Sequence, residues 1–284
     1  MEGIDALLPP AMAQKAEEVG LAKARLPLRQ LVLLAILAGA FIAQGAIFST
    51  VTTAGLSGQV PLGIVRLVAG VTFSLGLILV VIAGAELFTG NNLLVMAWAS
   101  RRISTLELLR NWFVVFLGNV IGAGLTAVLM VLARHHEFGG GLVGKTMLQI
   151  AAAKCSLDFV QAVALGVACN ALVCLAVWLS YSARSTVDKI FAVVPPIAAF
   201  VAAGFEHSIA NLYFIPVALL VKSQAGDSFW TKAGLSPAEF DGITWERFLL
   251  GNLLPVTLGN ILGGALLVGA IYWVVYRWPQ EAGK

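Results

Sequence analysis

The chain has 284 residues, 59% of them hydrophobic and only 12% charged, with a formal net charge of +3 and a mean hydropathy of +0.90. Soluble domains carry roughly 25% charged residues, so too few polar side chains are present to cover a soluble fold of this length. That excludes an ordinary cytosolic enzyme, a disordered regulator and a nucleic-acid binder, and the small charge argues for no polyanionic partner. The composition is that of an integral membrane protein, and the spans that follow make it all-α.

In chain order, the first 29 residues are polar and mixed in charge, and no cleavable signal peptide is expected ahead of the first span. Leu7-Leu8-Pro9-Pro10 leads into an amphipathic stretch, Ala11–Leu21, expected to form either a short helix on the membrane surface or over a pore mouth, or a plain solvated helix. A crossing needs about 20 mostly apolar residues. Six stretches qualify: Leu31–Thr53, Leu62–Trp98, Leu106–Ala133, Phe159–Tyr181, Ile190–Val221 and Phe248–Tyr276. The second and fifth are too long for one straight helix, and each has a polar interruption. The spans form a transport domain over residues 30–277, flanked by the N-terminal segment 1–29 and a tail, 278–284.

Lysines and arginines in the connections set the orientation. With the N-terminus inside, eleven lie on the cytoplasmic side (Lys15, Lys23, Arg25, Arg29, Arg101, Arg102, Arg110, Arg184, Lys189, Arg277, Lys284). Seven lie outside (Arg66, Arg134, Lys145, Lys154, Lys222, Lys232, Arg247). An even span count then puts both termini in the cytoplasm. Cys155, Cys169 and Cys174 have no metal spacing and cannot all pair, and Cys169 and Cys174, inside apolar runs, read as small buried apolar residues. No metal or cofactor is expected.

The two interrupted spans share a pattern. Gly84-Ala85-Glu86-Leu87-Phe88-Thr89-Gly90-Asn91 and Gly204-Phe205-Glu206-His207-Ser208-Ile209-Ala210-Asn211 both read G-x-E-x-x-x-x-N. Asn111, Gly118, Asn119 and Gly122 of span three are spaced like Asn252, Gly259, Asn260 and Gly263 of span six. These matches argue for a duplicated three-span unit, one copy over about 30–133 and the other over about 157–277. Three is odd, so the second copy is inverted, an arrangement that places a transport pathway at the midplane between broken helices. Gly118, Gly122, Gly124, Gly259, Gly263 and Gly264 are expected to let helices approach closely.

Three ionisable residues sit inside spans: Glu86, Glu206 and His207. With no H-E-x-x-H, no G-x-S-x-G and no cysteine nucleophile with a partner, they do not suggest an enzyme. Glu206 and His207 are neighbours, about 100° apart on a regular helix, so they form no acid–base dyad there. The carboxylates are expected to receive backbone N–H groups or polar side chains that hold the breaks open. His207 either faces the pathway or is a hydrogen-bonded packing residue. With a reference pKa of about 6.5, a histidine suits weak-acid anions: protonated, it attracts one at the midplane and can hand it a proton. Lys154, just before span four, either biases the outer vestibule toward anions or merely snorkels.

These residues resemble the formate/nitrite transporter family. The segment 204–211 is similar to its signature, and Glu86-Leu87-Phe88-Thr89 to its span-two loop. The resemblance runs from Leu7-Leu8-Pro9-Pro10-Ala11-Met12-Ala13 to Gly259-Asn260-Ile261-Leu262-Gly263-Gly264. It implies an aquaporin-like protomer with one pore each, a pentamer in the cytoplasmic (inner) membrane, and passage of formate, nitrite or hydrosulfide. By the same resemblance, His207 matches the central pore histidine and Thr89 the threonine that faces it. Phe73, Leu77, Leu87 and Phe200 match the apolar constrictions on either side, and Lys154 the lysine of the outer vestibule. Asn170 matches an asparagine linked to the histidine, Glu206 the acid before it, and the N-terminal stretch a segment held to gate the inner mouth. The competing readings are a water- or glycerol-type channel, whose paired Asn-Pro-Ala motifs are missing here, an intramembrane enzyme, and a scaffold protein.

Overall fold

A computed structural model describes residues 6–278 of the chain. Apart from Trp278, the expected tail lies outside these residues, as do the first five. Among the described residues six helical stretches are long and apolar enough to cross a bilayer: Leu28–Thr53, Leu62–Ala83, Thr105–Leu132, Phe159–Ser182, Thr186–Ala203 and Arg247–Tyr276. The helix of the first 29 residues is α1 (Pro9–Ala24). Span one is α2 (Leu28–Thr53), and span two opens with α3 (Leu62–Phe73) and α4 (Leu75–Ala83). A short helix, α5 (Val95–Ala99), precedes span three, α6 (Thr105–Leu132).

The second half opens with α7 (Leu142–Cys155) and spans four and five, α8 (Phe159–Ser182) and α9 (Thr186–Ala203). Then come α10 (Ser208–Gln224) and α11 (Asp227–Ala233). Span six contains α12 (Leu254–Ile261) and α13 (Ile271–Tyr276), joined and preceded by wider π-helical winding. Hydropathy did not single out α7 and α11. Each is short and sits on the protein instead of crossing lipid. In α7 one face, Val143, Met147, Leu148, Ala151 and Cys155, is buried. Helix α1 likewise buries Met12, Ala13, Ala16, Glu17, Gly20 and Ala24, so it caps the bundle.

Both expected breaks are present, and their geometry is specific. Each follows a nearly full crossing, α3–α4 or α9, that ends at a glycine in the left-handed region, Gly84 (φ 81) or Gly204 (φ 77). No Cβ stands in the way there, so the chain can leave the helix axis at once. Extended loops, Gly84–Thr89 and Gly204–His207, return the backbone into the membrane. The second half-helices start from there.

The spans bury small and polar residues and expose large apolar ones. On α6, Asn111, Gly118, Asn119, Gly122, Ala123 and Thr126 are buried, while Leu106, Leu109, Phe113, Leu117, Ile121 and Leu125 face outward. Lipid is as apolar as leucine, so helices associate here by close backbone approach. A methyl group at Gly122 would fall on the Ile36 carbonyl oxygen, and one at Gly263 on that of Val167. These are corresponding contacts of α6 on α2 and of span six on α8. Gly124 departs from the expectation, because nothing lies near the Cβ it lacks. It is off the packed stripe.

Gly122→Ala and Gly263→Ala should each destabilise the protein by ~1–3 kcal/mol through overpacking, read as a lower apparent melting temperature in mild detergent. Gly124→Ala should be neutral or slightly stabilising, as an alanine in an open helical position is.

Candidate transport pathway

Each re-entrant loop is held by one asparagine. The Asn119 side-chain amide donates to the carbonyls of Ala35 (2.7 Å) and Glu86 (3.0 Å), and its oxygen accepts the Phe88 N–H (3.0 Å). Asn260 repeats this, donating to Gly166 (2.8 Å) and Glu206 (2.9 Å) and accepting from the Ser208 N–H (2.9 Å). The N–H groups of Glu86 and Glu206 donate to Leu34 and Leu165 carbonyls at 3.2 and 3.3 Å. Asn119 lies halfway along Thr105–Leu132, which puts the loops at mid-membrane depth. There an unpaired backbone group has no water to turn to.

The two carboxylates sit in matching cages. Lys23 Nζ donates to Glu86 Oε1 (2.8 Å) and Asn91 Oδ1 (3.0 Å), and Asn91 Nδ2 donates to Glu86 Oε2 (2.7 Å) and Asn111 Oδ1 (2.9 Å). Asn111 Nδ2 closes the ring on the Lys23 carbonyl (3.2 Å). In the other half Lys154 Nζ donates to Glu206 Oε1 (2.8 Å), and Asn211 Nδ2 to Glu206 Oε2 (2.7 Å) and Asn252 Oδ1 (2.6 Å). Asn252 Nδ2 returns to the Lys154 carbonyl (3.0 Å). The carboxylates thus receive polar side chains, as expected of a buried charge, which is tolerated only when paired and hydrogen-bonded.

These contacts extend the internal correspondence to a fourth element. Lys23 near the end of α1 is the counterpart of Lys154 near the end of α7, each one helix ahead of its three spans. Sequence reading passed over Lys23. Its signal was Ala22-Lys23-x-x-Leu26-x-x-x-Gln30 against Ala153-Lys154-x-x-Leu157-x-x-x-Gln161. With Glu86 matched to Glu206 and Phe88 to Ser208, Leu87 occupies the place of His207. The histidine is where the two halves differ.

His207 caps α10: its Nδ1 accepts the Ala210 N–H at 3.0 Å. An accepting Nδ1 carries no hydrogen, so the ring is the neutral tautomer with its proton on Nε2. That nitrogen meets Thr89 Oγ1 at 2.9 Å, the point where the two loops touch. On one side the Phe200 ring stacks on the imidazole (centroids 5.9 Å), and Phe73 stands edge-on to Phe200 (5.7 Å) and stacked on Phe214 (6.3 Å). Lys154 Nζ lies 5.5 Å from the Phe214 centroid. On the other side Leu77 and Leu87 close one end of a cavity of about 490 Å3 beneath α1, which Lys15, Lys23, Glu86 and Lys189 also line. Phe73, Leu77, Leu87, Thr89, Phe200 and His207 are each at most 3% exposed.

The residues singled out in the sequence therefore converge, with two refinements. Asn170 reaches His207 through Thr89: its Nδ2 donates to the Thr89 carbonyl (3.2 Å), Asn92 Oδ1 (2.9 Å) and the Asn260 carbonyl (2.7 Å). Lys154 is a partner of Glu206, so its charge is largely neutralised.

Inverted halves, re-entrant loops meeting at mid-depth and a capped histidine between apolar rings define a multi-pass membrane channel or transporter. The formate/nitrite transporter profile matches residues 10–274. The chain is 48% identical over 272 residues to the formate channel FocA of Escherichia coli (strain K12), covering 96% of this chain and 95% of that one. It is 38% identical to a probable formate transporter of Methanothermobacter thermautotrophicus, with 94% and 96% covered. A solved pentameric formate channel with formate bound superimposes with a TM-score of 0.84 at 45% identity, over 88% of this chain and 97% of that one. The chain belongs to the formate/nitrite transporter family, whose members are transporters and not enzymes.

The ion pairs should show the asymmetry of buried charges. Lys154→Met strands the Glu206 carboxylate and should cost ~3–5 kcal/mol, whereas Lys154→Met with Glu206→Gln should recover part of that. Thermal unfolding of the two single variants and the double in one detergent measures the coupling.

Proposed function

We propose that this protein conducts small monovalent weak-acid anions, formate foremost, across the cytoplasmic (inner) membrane. It does so as a homopentamer with one pore per protomer and both termini in the cytoplasm. The relatives named formate channels and the pentameric structure with formate bound support the substrate and the assembly. The family name extends the reading to nitrite, and small size and single charge extend it to hydrosulfide.

The observation that carries the reading is the His207–Thr89 pair at the meeting of the two loops, between Phe73 and Phe200 on one side and Leu77 and Leu87 on the other. A bare anion in a dry apolar ring is heavily penalised, and its neutral acid is not. At the centre an anion that displaces Thr89 finds the Nε2–H of His207 and the threonine hydroxyl as donors, which stabilise its charge. For His207 also to donate a proton it must first become an imidazolium. That requires Nδ1 to let go of the Ala210 N–H and take a proton, so proton transfer is coupled to loosening of the α10 cap. The other charged groups close to the imidazole, Lys154 and Glu206, are bound to each other. Glu206 and Asn170 act by holding the loops, and Lys154 keeps the outer vestibule free of net negative charge.

The test is formate flux in proteoliposomes with and without a pH gradient, repeated with nitrite and hydrosulfide. Wild-type uptake should rise as external pH falls, because each step in which His207 hands on a proton first needs one supplied to its Nδ1. His207→Asn should assemble normally and lose that dependence. A His207→Asn protein that assembles and keeps wild-type, pH-dependent flux would make the histidine a packing residue and sink the mechanism.

A further inference from the structure

Away from the pathway, the connection between α5 and α6 forms a groove of about 830 Å3 lined by Trp98, Arg101, Arg102, Thr105, Glu107 and Trp273. It lies on the same side of the membrane as α1, because Arg102 is 3.8 Å from the Glu17 carboxylate of that helix. Arg101 is exposed and has φ 56, a left-handed conformation that suits glycine and strains a residue with a Cβ. Its guanidinium has no hydrogen-bond or ion-pair partner among the described residues.

The groove's one carboxylate, Glu107, and Glu17 behind it are both hydrogen-bonded. Glu107 accepts the Ser104 N–H (2.7 Å) and hydroxyl (2.9 Å). Glu17 is held by Arg277 Nε at 2.9 Å and by the Ser100 hydroxyl. The lining's two arginines, Arg101 and Arg102, outnumber its one carboxylate, Glu107, so the balance of charge in the groove is positive. Trp98 donates its indole N–H to Thr105 Oγ1 (3.0 Å), which leaves the threonine's own hydrogen free to donate. Trp98 and Trp278 are half exposed, as amphipathic rings at the headgroup level of a bilayer are.

Directly beyond the groove the surface is apolar. Leu106, Leu109 and Phe113 of α6 are 77%, 53% and 66% exposed, and at these spacings they share one helix face. Ile271 and Val274 of α13 are exposed as well. Guanidinium groups, tryptophans at interface depth and a continuous apolar strip below them match one amphiphile.

We propose that this groove binds the phosphate headgroup of an anionic phospholipid, with Arg101 as its main cation and the Leu106–Leu109–Phe113 face along the acyl chains. An arginine pairs with a phosphate through two parallel hydrogen bonds, which fixes orientation as well as charge. A free phosphate ion would leave the apolar strip unused.

The experiment is native mass spectrometry of the full chain in nonionic detergent, offered phosphatidylglycerol and phosphatidylcholine with the same acyl chains. Phosphatidylglycerol should be retained preferentially. Arg101→Gln should lower its retention about five-fold, the loss expected for one arginine at an anionic membrane surface. Arg29→Gln, an exposed arginine elsewhere on the same side, should not. Arg101→Gly separates binding from folding: it relieves the left-handed strain, so it should raise thermal stability while losing the lipid. Equal retention of both lipids, an equal loss in Arg29→Gln, or displacement by inorganic phosphate at the same concentration as the lipid would each overturn the proposal.

Discussion

Hydrocarbon offers no partner to a backbone N–H or C=O, and the centre of this protein is organised by how two loops at membrane depth meet that demand. Asn119 and Asn260 meet it from neighbouring spans, each bridging its loop to the helix behind it with three hydrogen bonds. Because each amide serves a donor and two acceptors at once, the loops have one position and not a range of them. Everything that faces the centre takes its place from these anchors, including His207, Thr89, Leu87 and the ends of the half-helices.

The cages around Glu86 and Glu206 solve a related problem with charge. A lysine and two asparagines surround each carboxylate, and the lysine comes from a helix, α1 or α7, that does not cross the membrane. These helices thereby become part of the pathway's frame. The cavity beneath α1 has Lys23 in its wall, while the corresponding site of the other half has Lys154 beside Phe214. Pairing Lys23 and Lys154 with Glu86 and Glu206 leaves Lys15 and Lys189 as the cations of the cavity wall beneath α1.

Near-symmetry makes the single asymmetric position informative. Two halves built to the same hydrogen-bond plan place Leu87 and His207 at equivalent points, so one half presents an apolar side chain and the other a titratable one. The histidine's Nδ1 is committed to the α10 cap and only Nε2 faces Thr89. Its chemistry at the midplane is therefore tied to the integrity of a helix end. A pair of leucines would leave the meeting point of the loops without a hydrogen-bonding side chain for Thr89.

Much of this was legible in the sequence, because span length, composition and the G-x-E-x-x-x-x-N motif report on a residue's own segment. A glycine that must turn left-handed, a run long enough for the bilayer and a pair of asparagines at repeated spacing act locally, wherever the rest of the chain goes. Gly84, Gly204, Asn119, Asn260 and His207 could all be marked in this way. Lys23 could not: it reads as one more charge in a polar leader until α1 folds back and puts its ammonium 2.8 Å from a carboxylate 63 residues away. The same limit hid the neutralisation of Lys154, the route from Asn170 to His207 through Thr89, and the idleness of Gly124. Each depends on which faces of separate helices meet, and hydropathy is the same for every way of packing apolar helices in lipid. Only the tertiary structure decides it, through the close approaches and buried hydrogen bonds that a single packing can satisfy.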